Sequence, residues 1–182
     1  MIESLPKAKI VCSETQVSQA IDKMADEITQ TLKNLQPVMI STMLGGLYLT
    51  GELMRRLSFA LQLDYAHATR YQGSEHGGAL QWLVEPRADL NGRSVLLIDD
   101  VLDAGITLKA LVDDCQRRGA ARVFTAVLVD KQANRAVGGL QSADFFALTL
   151  PDYYLFGCGM DYNQYWRNLP AIYALEDHHH ET

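Results

Sequence analysis

The segment Val95 to Thr107, VLLIDDVLDAGIT, constrains the fold more than any other part of the chain. Val95 to Ile98 is an apolar run without polar alternation, which reads as a strand buried on both faces. Asp99, Asp100 and Asp103 fall where that strand emerges, and Gly105 with Thr107 leads into a helix. A strand covered on both faces needs helices on both sides, the arrangement of a parallel α/β sheet. In open sheets of this kind ligands bind outside the carboxyl ends of the strands, so these carboxylates mark a candidate site.

The rest of the chain repeats the alternation. Ser13 with Gln16 resembles a capping box, and Val17, Ile21, Met24, Ile28, Leu32 and Leu35 recur at helical spacing behind it. Pro37 ends that pattern; Val38 to Met43 reads as a buried strand, Gly45 and Gly46 as a turn, and Leu47 to Leu61 as a second helix. Leu63 to Tyr71 suits a strand, Leu80 to Val84 another, and the glycine-rich Gln72 to Gly78 between them an exposed mobile loop. Asn91-Gly92 marks a tight turn before the strand Ser94 to Ile98. Thr107 to Gly119 then reads as a helix and Arg122 to Val129 as a strand. Phe145 to Leu150 and Tyr154 to Phe156 fit strands, Tyr162 to Leu169 a helical turn, and Asp177 to Thr182 a frayed polar tail.

Composition narrows the function. A chain of 182 residues fits one domain, and 48 % hydrophobic with 21 % charged residues is the balance of a packed globule. With 16 basic against 22 acidic residues the net charge is -6, which argues against general nucleic-acid binding and confines any anion site to a local cluster of donors. Cys12, Cys115 and Cys158 lie far apart, with neither disulfide-framework nor zinc spacing, as suits a reducing cytoplasm. The polar start of the chain and the lack of a long apolar run predict neither secretion nor a membrane span. His67, His76 and the run His178 to His180 show no ligand partners at a recognisable spacing.

The acidic strand end has a specific chemistry. Backbone N–H groups of Ala104, Gly105, Ile106 and Thr107, the helix dipole and the Thr107 hydroxyl can together hold a phosphate, with Gly105 allowing close approach. Asp99 and Asp100 can accept hydrogen bonds from a diol or bind Mg²⁺ through water, and Asp103 can exchange a proton. Taken alone, the string also fits a solvated strand end in which Asp103 merely caps the helix.

In its full length the segment resembles the signature of the type I phosphoribosyltransferases: four apolar residues, two acidic, two apolar, Asp, a small residue, Gly, any residue, Thr. The resemblance runs from about Val38 to Arg167 and looks closest to the hypoxanthine-guanine branch. It implies a parallel-sheet core of about 38–150 flanked by helices, a small hood from the terminal segments (about 1–12 and 151–176), and one domain over the whole chain. It also implies Mg²⁺ as cofactor, phosphoribosyl pyrophosphate and a 6-oxopurine as substrates, and a homodimer or homotetramer. The alternatives are a xanthine- or pyrimidine-preferring enzyme, or a nucleotide-sensing RNA-binding regulator on the same fold.

By the same resemblance, Asp103 is the acid/base group, and Asp99 and Asp100 face the ribose and the metal, with Asp161 as a second metal-associated aspartate. Lys131, after Val129-Asp130, donates to the purine 6-oxygen; Tyr154 stacks on the base and the Leu155 backbone meets its edge. Tyr162, Tyr165 and Trp166 of the same segment read as core packing. Leu44, Gly45 and Arg167 meet pyrophosphate, and a cis peptide is implied between Met43 and Leu44. Gln72 to Gly78 becomes a lid, flanked by Arg70 and Tyr71.

Departures from the family pattern accompany the matches. Leu44 stands where Lys or Arg is usual, and Arg70-Tyr71 where Ser-Tyr is usual. Ala104 replaces a common Ser or Thr, which removes a hydroxyl donor to a charged phosphate, an interaction worth roughly 1.5–3 kcal/mol.

Overall fold

The computed structural model describes residues 5–70 and 80–175. Strands β1 (Ala8–Cys12), β2 (Val38–Thr42), β3 (Gln62–Arg70), β4 (Leu80–Val84) and β5 (Ser94–Leu102) are joined by β6 (Arg122–Gln132), β7 (Phe145–Pro151), β8 (Leu155–Phe156) and β9 (Ile172–Leu175). The helices are α1 (Glu14–Leu32), α2 (Gly46–Met54) and α3 (Ile106–Arg117). The main sheet has the order β4-β3-β2-β5-β6-β7, parallel except for β4, which runs antiparallel to β3. A three-stranded sheet, β1-β9-β8, is assembled from the two ends of the described chain and forms the hood.

The central strand shows why the opening segment is so apolar. Leu96 and Ile98 of β5 join the core cluster that contains Val17, Ile21, Leu49 and Leu53 of α1 and α2. Val95 and Leu97, pointing the opposite way, join the cluster under Leu108 and Leu111 of α3. Alternate residues of one strand thus fill two cores.

At the start of α1 the Ser13 side chain accepts from the Gln16 N–H while Gln16 Oε1 accepts from the Ser13 N–H, the expected capping box. Arg56, just past α2, ties the two helices on this face: its Nε donates to Asp22, its Nη1 to Glu52 and its Nη2 to the Ser18 hydroxyl.

Two expected elements change. The helix predicted over Leu47 to Leu61 ends at Met54, where the Arg56 and Leu57 N–H groups both turn back to Leu53 O; Leu57 is buried and β3 begins at Gln62, so the chain must leave the helix early to re-enter the sheet. The helical turn predicted over Tyr162 to Leu169 is absent. Asn163, Gln164 and Trp166 take positive φ, and Tyr162 and Tyr165 close a backbone bridge that leaves Tyr165 exposed instead of in the core. Leu35 lies beyond α1 and is exposed. Tyr71, the 72–78 loop with His76, and the 177–182 tail with its histidines lie outside the described residues. No helix among the described residues is long and apolar enough to cross a membrane.

The capping box generates a direct test: Ser13→Ala should lower stability to urea by about 1 kcal/mol, the usual loss for a helix N-cap. Activity should remain unchanged, because Ser13 lines none of the cavities at the carboxyl ends of the strands.

Candidate active site

Parallel register brings the carboxyl ends of β2, β5, β6 and β7 to one edge of the main sheet. At the end of β5, Asp99 and Asp100 are adjacent and largely out of water. Burial, reinforced by the Asp100 charge, pushes Asp99 up to about 7. Burial also raises Asp100, against the opposing pull of the Arg167 guanidinium. Thr42, the last residue of β2, sets its hydroxyl 2.5 Å from Asp99 Oδ1 and 2.9 Å from Ile98 O, fixing the carboxylate against the neighbouring strand.

The loop after β2 comes close to this pair. The Met43–Leu44 peptide is cis, as the resemblance implied. A Cβ on Gly45 would collide with the Asp100 carboxylate, so only glycine lets this backbone lie against the acid. Leu44, the residue in place of the usual cation, is exposed. A cation nevertheless reaches the region: Arg167 Nη1 lies 3.8 Å from Asp100, and its Nη2 donates to Asp161 at 2.5 Å. The guanidinium is anchored further by donation to Gly159 O at 2.6 Å.

Beyond β5 the chain turns at Gly105, with φ of 77°, and α3 starts at Ile106. The helix N-cap is Gly105 and carries no side-chain bond, which sets aside the reading of Asp103 as a mere cap. Ala104, Gly105, Ile106 and Thr107 curve around a concave surface of about 350 Å³ whose walls include Asp99 and Asp103. The first-turn N–H groups of α3 have no intrahelical partner, so this surface suits an anion. The loop is held from below: Ala136 N–H donates to Ala104 O, and Leu140 N–H to Gly105 O. Arg135 donates to Leu102 O at 3.0 Å and Asp103 O at 2.6 Å while pairing with Asp130.

A second cavity of about 190 Å³ opens between Asp103 and the hood, lined by Asp100, Lys131, Tyr154, Leu155, Met160 and Asp161 among others. Lys131, at the end of β6, is only 8 % exposed yet charged; it pairs with Asp103 at 3.1 Å and with Asp152 at 2.6 Å. Such a buried ammonium needs partners of this kind. Tyr154 stands 40 % exposed over the cavity, with Tyr162 edge-on at 5.8 Å. Leu155 is buried in β8.

The structure therefore gathers Asp99, Asp100, Asp103, the 104–107 loop, Leu44, Gly45, Lys131, Tyr154, Leu155, Asp161 and Arg167 around one connected edge. Arg70 ends β3, on the strand that flanks β2. Sequence reading missed Thr42, Arg135 and Asp152. Asp152 comes to Lys131 through the pairing of β6 with β7, which no local pattern announces.

The carboxylates can be weighed as a metal site. Among the described residues no group of three or more His, Cys, Asp or Glu could hold a metal ion alone. Asp161 already has one oxygen on Arg167 and the other accepting from the Gln164 N–H. Two adjacent buried acids that repel each other fit a hydrated Mg²⁺ that draws its remaining ligands from water and substrate oxygens, the usual mode for that ion.

Comparison with known proteins places the chain. The family model described as a phosphoribosyl transferase domain matches residues 12–144. The chain belongs to the phosphoribosyltransferase family. A phosphoribosyltransferase named for hypoxanthine and guanine, from Streptococcus pneumoniae, is 29 % identical over 93 % of this chain and 93 % of its own. A hypoxanthine-guanine-xanthine phosphoribosyltransferase from Tritrichomonas foetus is 27 % identical over 93 % of this chain and 92 % of its own. Among solved structures, a hypoxanthine phosphoribosyltransferase from Trypanosoma cruzi, complexed with the product IMP, superposes with a TM-score of 0.86 at 27 % identity, covering 96 % of this chain and 95 % of that one. The acidic strand end of this phosphoribosyltransferase is thus the same feature that the sequence isolates.

The elevated Asp99 has a measurable consequence. A carboxylate whose folded value lies above its ordinary 3.8 holds its proton better folded than unfolded, so stability should fall as pH rises from about 4 to about 7. In metal-free protein, Asp99→Asn should flatten that decline in thermal midpoint and leave the variant more stable than the parent at pH 8.

Proposed function

We propose that this phosphoribosyltransferase carries out purine salvage, transferring the 5-phosphoribosyl group from phosphoribosyl pyrophosphate to hypoxanthine or guanine, with IMP or GMP and pyrophosphate as products. The observation that carries this reading is the cavity in which Lys131, Tyr154 and Asp103 converge beside the 104–107 loop. A donor, an aromatic face and a carboxylate at one end, joined to an anion cradle at the other, match a 6-oxopurine attached to a ribose phosphate. The named activities of the relatives agree.

In this reading the 5-phosphate lies on Ala104, Gly105, Ile106 and Thr107 at the start of α3, so the missing hydroxyl at Ala104 leaves Thr107 as the side-chain donor. The base stacks on Tyr154, an interaction worth about 1–3 kcal/mol by analogy with nucleic-acid bases. Lys131 donates to its 6-oxygen, and the Leu155 backbone meets its edge. Pyrophosphate lies between the Leu44-Gly45 backbone and Arg167, the cation that Leu44 does not supply.

As the C1′–O bond to pyrophosphate breaks and the N9–C1′ bond forms, positive charge builds on the ribose. Asp99 and Asp100 stabilise that charge. Asp103 takes the proton displaced from N7 of the base. Asp99, Asp100 and, through water, Asp161 would hold Mg²⁺, which when bound screens the pyrophosphate charge. We place the enzyme in the cytoplasm as a homodimer or homotetramer, with 1–182 as one phosphoribosyltransferase domain.

With Mg²⁺ and phosphoribosyl pyrophosphate, the protein should form nucleotide from hypoxanthine and guanine and release equimolar pyrophosphate. Turnover with uracil alone would overturn the reading, and xanthine in the same panel ranks tolerance at the 2-position. Asp103→Asn should lower kcat by about 10²–10⁴-fold, the range for loss of a general acid/base group, with GMP affinity changed far less. An unchanged kcat would remove Asp103 from the proton transfer.

A further inference from the structure

We infer that Asp152 is a positioning residue that sets the preference for 6-oxo over 6-amino purines by holding the Lys131 ammonium in the base cavity and sharing it with Asp103. This rests on the salvage reading and adds to it a residue outside the contacts assigned there.

The geometry is specific. Lys131 Nζ is 2.6 Å from Asp152 Oδ1 and 3.1 Å from Asp103 Oδ2, so the shorter pairing is to the residue that has no part in the chemistry. The Lys131 side chain is 8 % exposed, against 39 % for Asp152 and 54 % for Asp103, so the ammonium cannot relax into water and must take its orientation from the carboxylates around it. Asp152 is itself placed by the sheet. Gln132 of β6 pairs with Pro151 of β7, which sets the residue after β7 beside the end of β6. The Tyr153 N–H turns back to Pro151 O at 2.8 Å, fixing the bend that aims Asp152 at Lys131.

An ammonium has three N–H donors. Asp103 accepts one of them and Asp152 holds the ammonium as a close ion-pair partner, so a donor is left for the cavity, where a 6-oxygen accepts it and a 6-amino group, itself a donor, does not. Without Asp152 the ammonium keeps Asp103 as its only ion-pair partner among the described residues and is drawn towards it, away from the base.

The test uses the full-length protein and measures GMP and AMP affinity by calorimetry, alongside hypoxanthine kinetics. Asp152→Asn should weaken GMP on the order of tenfold, the size of one charge-assisted hydrogen bond, and leave AMP unchanged. The hypoxanthine KM should rise by a similar factor with kcat nearly constant, and Asp152→Glu should recover part of the GMP affinity. In a Lys131→Met background, Asp152→Asn should cost nothing further, because its route through the ammonium is gone. Unchanged GMP affinity in Asp152→Asn, or equal losses for GMP and AMP, would overturn the inference. Failure of the parent protein itself to bind GMP or turn over hypoxanthine would instead overturn the salvage reading.

Discussion

Two like charges held out of water at the end of a strand are the condition around which this site is arranged. Asp99 and Asp100 follow directly on residues that fill two cores, so neither can swing into solvent without disturbing β5. Their mutual repulsion and burial cost free energy that a well-packed apolar pair would not. The surroundings answer in kind: the Thr42 hydroxyl on Asp99, the Arg167 guanidinium near Asp100, and a glycine at 45 that lets peptide dipoles approach where a side chain would collide. A cation bridging the acids and a polyphosphate would relieve the remaining repulsion.

The same economy of charge explains how a chain of net charge -6 can take a highly anionic substrate. Cations are placed singly and each is already engaged: Arg167 with Asp161 and Gly159 O, Lys131 with Asp103 and Asp152. A cation so held loses little freedom when a ligand arrives, and it does not advertise a basic surface to nucleic acid. The exposed Leu44 and the Arg167 guanidinium line one cavity, so a cation is present there although Leu44 carries none.

What could be read in advance follows from the distance over which each feature is determined. The β5 segment, the Ser13 capping box and the Gly105 turn are local patterns that the sequence holds entire, whereas the cis Met43–Leu44 peptide was implied only by the family resemblance. Lys131 and Tyr154 stand in motifs that mark them in the sequence. The stretch after Met160 misled because its aromatic residues mimic helical spacing. Its backbone is governed by contacts with no sequence period: Arg167 donating to Gly159 O, Asp161 accepting from the Gln164 N–H, and the Tyr162–Tyr165 bridge. The early end of α2 has a similar origin, since it is set by where Leu57 must be buried and where β3 must start.

Thr42, Arg135 and Asp152 share a further reason for escaping notice: each acts on a partner from a different strand. Thr42 needs β2 beside β5, Asp152 needs β7 beside β6, and Arg135 needs the loop after β6 folded against the end of β5. Single residues of ordinary type become functional through strand order, and strand order is a property of the sheet as a whole. Arg135 shows how far this reaches. By binding the Leu102 and Asp103 carbonyls it fixes the backbone on which the Asp103 carboxylate rides, while Lys131 fixes the carboxylate itself. Asp103 is thereby constrained from both ends although more than half of its side chain is exposed at 54 %, a balance that keeps it open to a base and limits its wandering.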